Sequence, residues 1–169
     1  FRPSITETTM LIHSASQLLT LAGGPQRGHA LGALGIIENG AVVVRDEKIV
    51  AIGTTDELRA AYPDEPTLDA ARCVLMPGFV DPHTHLIWAG DRADEFEMKM
   101  AGTPYLDILA AGGGIISTVR ATRTASIESR IAQTRPRLLR MFAHGTTTAE
   151  AKTGYGLNAA TELRLLKAL

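Results

Sequence analysis

Pro77-Gly78-Phe79-Val80-Asp81-Pro82-His83-Thr84-His85-Leu86 decides how this chain is read. Phe79 to His85 reads as an apolar strand that runs into two histidines one residue apart. Side chains alternate faces along a strand, so His83 and His85 point the same way, and Asp81 shares their face. Two imidazoles on one face at a strand end can reach a single metal ion. Pro82 has no N–H for a sheet ladder and suits a strand near its end. The plainer alternative is two polar residues at a strand end with no ligand. Pro77-Gly78 marks a boundary where the chain enters a new unit.

Downstream of that boundary the pattern alternates. Strand 79–84 is followed by helices over Arg92–Met100 and Thr103–Ala111, the latter with Thr103 as N-cap and Pro104 at the first helical position. Gly112-Gly113-Gly114 stops it and reads as a loop bordering the site rather than a phosphate cradle, since no strand directly precedes it. Ser126–Ala143 carries apolar residues at helical spacing, and Pro136 inside it predicts a kink or a split. Gly145 caps it, Thr146–Ala151 reads as a second strand, and Asn158 caps a last helix to Leu169. Strand, helix, strand, helix argues for a parallel α/β layout.

Upstream, residues 10–77 read as a small β unit. Met10–His13 and Gln17–Leu21 are apolar runs divided by Ser14-Ala15-Ser16. Gly23 to Gly35 is a loop. Asn39-Gly40 between apolar runs signals a hairpin turn, and Asp46-Glu47 a second. Asp56–Tyr62 is a short helix capped by Thr54 or Thr55. Thr67–Asp69 and Cys73–Met76 are further strands. The expected organisation is therefore residues 1–77 as one unit and 78–169 as another.

Composition excludes several classes. The net charge is −1, which offers no electrostatic footprint for nucleic acid or a membrane surface. No run of about 18 apolar residues exists to span a bilayer. Phe1-Arg2-Pro3-Ser4 has no signal-peptide pattern. The one cysteine, Cys73, rules out an internal disulfide, fits a reducing compartment, and by its apolar neighbours reads as buried. The expected location is cytoplasmic. The 92 residues from Gly78 to Leu169 are far short of the ~250 of a complete (β/α)8 barrel. The chain also stops within its last helical pattern, so the expectation is an N-terminal piece of a longer protein.

Further residues bear on chemistry. In a barrel the C-terminal strand ends form the active-site face, which places His83 and His85 at its mouth. Arg92 lies in the first loop, and its planar guanidinium suits a carboxylate; the alternative is a surface arginine paired with Asp94 or Glu95. Tyr105 opens a helix and is equally readable as packing. Tyr155, between Gly154 and Gly156 after the second strand, faces the same mouth by the same barrel logic; the alternative is an ordinary turn with a packed aromatic. His13, His29 and His144 have no partner at ligand spacing. Lys152 is read without a role as a modified lysine bridging two metals.

The stretch Val80–His85 resembles the signature of the amidohydrolase superfamily. Three longer stretches, 89–96, 111–123 and 145–157, are similar to the imidazolonepropionase family, and the likeness spans roughly residues 8–169. The resemblance implies the first part of a composite β-sandwich domain, residues 1–77, then the start of a (β/α)8 barrel, residues 78–169. It implies one Zn2+ or iron ion held in part by His83 and His85, with substrate contacts at Arg92, Tyr155 and Tyr105. The implied reaction is hydrolysis of 4-imidazolone-5-propanoate to N-formimidoyl-L-glutamate, by a homodimer of the full-length enzyme. The family's remaining ligands and its catalytic Glu and His fall beyond Leu169, so the piece alone is expected to be inactive. The alternatives are another deaminase or cyclic amidohydrolase of the superfamily, or a non-catalytic fragment.

Overall fold

Asn39-Gly40 does not turn the chain. A computed structural model describes residues 9–169, and the reading of Phe1–Ser4 lies outside them. In it Asn39 and Gly40 sit inside a ten-residue strand, β2, Ile36–Arg45. β2 pairs antiparallel with β1, Thr9–Leu19, which is one strand and not the two runs read from the sequence. The β1–β2 register shifts between Ile12 and Ala15. Ser14 at φ 61° and Asn39 at φ 48° absorb the irregularity. One residue fastens both sides: Ser14 N–H donates to Thr55 Oγ1 at 2.8 Å, and the same hydroxyl donates to Asn39 O at 2.9 Å. Gly40 is needed for close approach, because a Cβ there would overlap Leu18.

The hairpin lies one step later. Arg45 pairs with Lys48 across Asp46 and Glu47, both at positive φ (51° and 63°), which is the type I′ geometry that matches strand twist. β3, Lys48–Thr54, leads into α1, Thr55–Ala61. Thr54 is the cap: it accepts from Glu57 N–H while Glu57 accepts from Thr54 N–H, a full capping box. β4, Thr67–Asp69, and β5, Val74–Leu75, both lie parallel to β1, giving a five-stranded sheet of order β3-β2-β1-β4 with β5 also on β1. Leu11, Ala41, Val43 and Leu58 form the core of this unit, with Ala51 and Tyr62 against it. Cys73 is exposed, contrary to the sequence reading. Its backbone is tied to Ala70 and Ser16, which turns its side chain outward.

The chain divides into compact units at Pro77/Gly78. In the second, β6, Phe79–Thr84, pairs in parallel with β7, Thr146–Ala151. A parallel pair needs a long crossover. Here it contains α2 (Ala93–Met100), α3 (Tyr105–Ala110), α4 (Ile115–Thr124) and α5 (Ile127–Ala143). Two expectations fail, and one helix was not foreseen. Thr103 caps nothing: its N–H still closes the end of α2 on Met98 O, and Pro104 holds the cap position of α3 with no side-chain bond. Pro136 does not split α5, whose neighbouring turns are anchored by Thr134 to Arg130 O and by Arg137 to Trp88 O. α4 has no forecast in the sequence, because its buried face is Thr118, Val119 and Thr122 and shows no apolar period. α6, Ala159–Leu166, is capped by Asn158 as read, and it ends at Leu166 rather than Leu169.

Those buried threonines hold the segment that follows β6. Thr122 Oγ1 accepts from Ala89 N–H at 3.1 Å, and Thr134 Oγ1 donates to Leu86 O at 3.2 Å. Leu86, Ile87 and Ala89 are themselves buried. Apolar burial and paired backbone groups therefore fix the chain immediately after His85.

Candidate active site

The two strands of the second unit end together, and their ends carry the site. Thr84 pairs with Ala151, Lys152 N–H donates to Thr84 O at 3.1 Å, and Thr84 Oγ1 donates to Glu150 O at 2.7 Å. The β6–β7 register shifts between Asp81 and Thr84, around Pro82, which has no N–H to pair. β6 itself stops at Thr84, so His85 stands just past it. Strict alternation thus does not carry both histidines. What brings them to a common place is the segment after β7, which both touch.

His83 is exposed, and its Nε2 accepts from Lys152 Nζ at 2.5 Å. Asp81 turns back on its own strand: Oδ1 accepts from His83 N–H at 3.2 Å. His85 stacks at a tilt on Tyr155, with ring centroids 5.0 Å apart. Gly154 is required there, since a Cβ would come within 2.6 Å of His85 Cε1. His85 Nδ1 is buried and has no hydrogen-bond partner. A buried orphan nitrogen is costly unless something fills its valence. Two neutral imidazole donors suit Zn2+ or iron, so the residues fit part of a metal site. Among the described residues no three His, Cys, Asp or Glu side chains cluster as a metal site, so these two are short of a full set.

Beside the histidines lies a cavity of about 220 Å3 lined by Trp88, Asp91, Arg92, Thr118 and Tyr155. It brings together Arg92 and Tyr155, which stand 63 positions apart in the sequence. Trp88 meets Tyr155 edge-on at 6.5 Å. On its other side Arg137 lies 3.5 Å from the indole centroid and donates to Trp88 O at 2.9 Å. Burial lowers the pKa of that Arg137 guanidinium.

Arg92 is paired as the plainer reading allows, with Glu95 rather than Asp94: Nη2 to Oε2 is 2.6 Å. The other Glu95 oxygen accepts from Gly114 N–H at 2.8 Å. The hydrogen bond to Glu95 raises the Arg92 pKa, and the bond from Arg92 lowers that of Glu95. Only one guanidinium nitrogen is spent on this pair, so the fork keeps free donors for a ligand. A second cavity, about 290 Å3, lies along Arg92, Glu95, Gly112 and Gly113, so the glycine run does border the site region. Tyr105 is exposed at the start of α3 and lines neither cavity.

Sequence reading missed Trp88, Thr118 and the Lys152 contact. Trp88 carries the one available signal, an aromatic residue three positions past His85 in an otherwise aliphatic run. The remaining histidines do not join the site. His13 is buried against Arg59 and Ser14, and His144 bonds Arg140 O.

With this geometry in hand, comparison with known proteins is informative. Residues 40–64 match the model of the imidazolonepropionase-like composite domain of bacteria. An imidazolonepropionase of Herpetosiphon aurantiacus is 51% identical over 159 residues, 94% of this chain. The chain spans only 37% of that relative's length. Among solved structures, E. coli guanine deaminase superposes with a TM-score of 0.63 at 17% identity, over 95% of this chain and 33% of that one. An adenosine deaminase from Xanthomonas campestris with bound zinc gives 0.51 at 20% identity, over 95% and 31%. Likeness at such identity speaks for a shared fold with about a third of those enzymes.

Proposed function

We propose that this chain, similar to imidazolonepropionases over nearly all of its length, is the first part of a metal-dependent hydrolase. The substrate class is a five-membered cyclic amide bearing a carboxylate, and 4-imidazolone-5-propanoate is the reading the similarity favours. The product is then N-formimidoyl-L-glutamate. The observation that carries the proposal is one juxtaposition. Two imidazoles at a strand end, one with an orphan nitrogen, stand beside a cavity that holds a guanidinium and a phenol.

Each residue has a role in this reading. His83 and His85 supply two ligands of a Zn2+ or iron ion, and such an ion, when bound, makes hydroxide available near neutral pH. Arg92 grips the propionate through the donors that Glu95 leaves free. Tyr155 and Trp88 wall the flat ring, and Thr118 offers a hydroxyl at the cavity floor. Tyr105 extends the wall only if it moves inward from its exposed position. The barrel start at residues 78–169 and the composite sandwich at 1–77 belong to the same reading, supported by the parallel β6–β7 pair and the composite-domain match. A homodimer and the further metal ligands rest on the resemblance alone, and a cytoplasmic location on the single cysteine. No described helix is long and apolar enough to cross a membrane.

The test is turnover of 4-imidazolone-5-propanoate by the full-length protein, with Arg92→Ala beside it. Loss of a charged partner should lower kcat/KM by about 2 kcal/mol while fold and metal content hold. Unchanged kcat/KM would make Arg92 a surface partner of Glu95 and put the carboxylate elsewhere.

A further inference from the structure

We propose that Glu162 on α6 is the positioning residue that sets Tyr155 against His85 and Trp88. The inference rests on the reading of Tyr155 as a substrate contact. Tyr155 sits in Lys152-Thr153-Gly154-Tyr155-Gly156-Leu157, a segment with two glycines and with Leu157 at φ 51°. Such a backbone has many conformations open to it. Here it has one, because its polar groups are taken from outside. Glu162 Oε1 accepts from both Gly156 N–H and Leu157 N–H, each at 2.8 Å. The carbonyl of Gly156 accepts from Arg123 Nε at 2.7 Å and from Asn158 Nδ2 at 3.2 Å. Both peptide groups flanking Gly156 are therefore pinned, from α4 and from α6. A Cβ on Gly156 would come within 2.8 Å of Thr161 Cβ, so the loop lies flat on the first turn of α6.

Glu162 is not needed to cap that helix. Asn158 does so, its Oδ1 accepting from Thr161 N–H at 2.9 Å. The carboxylate instead reaches back past the helix start to the loop. Its second oxygen is buried without a direct hydrogen bond, so the carboxylate's two direct bonds are those to the loop amides. Burial would raise the Glu162 pKa. The Thr153 hydroxyl and the N–H groups of Leu157, Gly156 and Gly154 outweigh it and keep the pKa low. Removing the carboxylate leaves two amides unpaired and frees the residue next to Tyr155. Tyr155 would then lose its fixed place over His85, at 5.0 Å, and beside Trp88, at 6.5 Å.

The experiment uses the full-length protein with Glu162→Ala, Glu162→Gln, Tyr155→Ala and both double variants with Tyr155→Ala. It reads KM and kcat on 4-imidazolone-5-propanoate, and the Trp88 emission as the difference from the matching Trp88→Phe protein. Glu162→Ala should raise KM about tenfold with little change in kcat, and shift Trp88 emission. Glu162→Gln, which keeps an acceptor oxygen, should stay within about threefold of the parent. In the Tyr155→Ala background either change should have no further effect on KM. An unchanged KM in folded Glu162→Ala, or losses that multiply independently with Tyr155→Ala, would overturn the proposal. Should Glu162→Ala not fold, Glu162→Asp replaces it, its carboxylate drawn back by one methylene: a KM rise that vanishes with Tyr155→Ala supports the clamp, and an unchanged KM or a rise that persists overturns it. Should Tyr155→Ala itself turn over like the parent, the role of Tyr155 is wrong. Trp88 emission then judges the clamp alone: a shift in Glu162→Ala supports it, and an unchanged spectrum overturns it.

Discussion

The two units each interrupt a strand, and they treat the interruption differently. In the first, Ser14 and Asn39 leave the regular ladder on facing strands, and the buried Thr55 hydroxyl bonds both. Ser14 N–H and Asn39 O both find a protein partner in it. In the second, Pro82 breaks the β6–β7 ladder, Asp81 satisfies one N–H, and the ladder resumes at Thr84. The imidazoles either side of Thr84 are not so absorbed: His83 has only a lysine ammonium and His85 Nδ1 has nothing. An irregular strand is structural when its polar groups close on one another. It is a candidate site when a ring nitrogen there is left without a protein partner.

The largest effects are expected at the histidines. In the full-length protein, His83→Ala or His85→Ala should abolish nearly all turnover and most bound metal, with thermal unfolding of the first unit unmoved. Metal content is measured on the purified protein, and a wild-type value in either variant ends the ligand assignment. Thr55→Val is the counterpart in the first unit. It leaves Ser14 N–H and Asn39 O unpaired and should cost about 1–3 kcal/mol, seen as a lower urea midpoint. Turnover at a temperature where the variant is folded should not change. A loss of turnover without a loss of stability would erase the distinction between the two interruptions.

The smallest effect expected is at the α1 cap. Thr54→Ala should cost about 1 kcal/mol in the same urea titration. The Thr54 backbone N–H, then its hydroxyl, lower the Glu57 pKa below the usual 4.5. The stabilisation from that bond is therefore full above the unfolded value and fades as pH falls through the lower folded one. The difference between parent and Thr54→Ala should shrink in acid. A difference that stays constant down to the lowest pH at which the protein folds would show that the bond from the Thr54 hydroxyl to Glu57 adds nothing to the cap.

Much of the second unit was legible in the sequence because its signals are local. Pro77-Gly78 marks where the units divide in the structure. Asn158 is a cap whose oxygen needs a donor only three residues on, and the strand at Thr146–Ala151 follows from β-branched residues after a helix-ending glycine. The first unit was less legible for the converse reason. Asn-Gly is a turn signal only when nothing else claims Asn39, and here Thr55 from a helix sixteen residues later does. α4 was invisible because its inward face is threonine, chosen to bond the segment after β6 rather than to exclude water.

For the site, the sequence already shows which residue types are present and that His83 and His85 flank one strand end. It carried the family resemblance for the same reason, since a motif is a run of neighbours. Only the tertiary structure decided that Arg92 is held by Glu95, that Tyr155 reaches His85, and that Glu162 governs the loop between them. The contact of Tyr155 with His85 depends on the parallel strands β6 and β7 lying side by side, which joins residues seventy positions apart. Contacts of that range cost chain entropy to close, and the burial of Leu86, Ile87 and Ala89 beneath α4 and α5 offsets it.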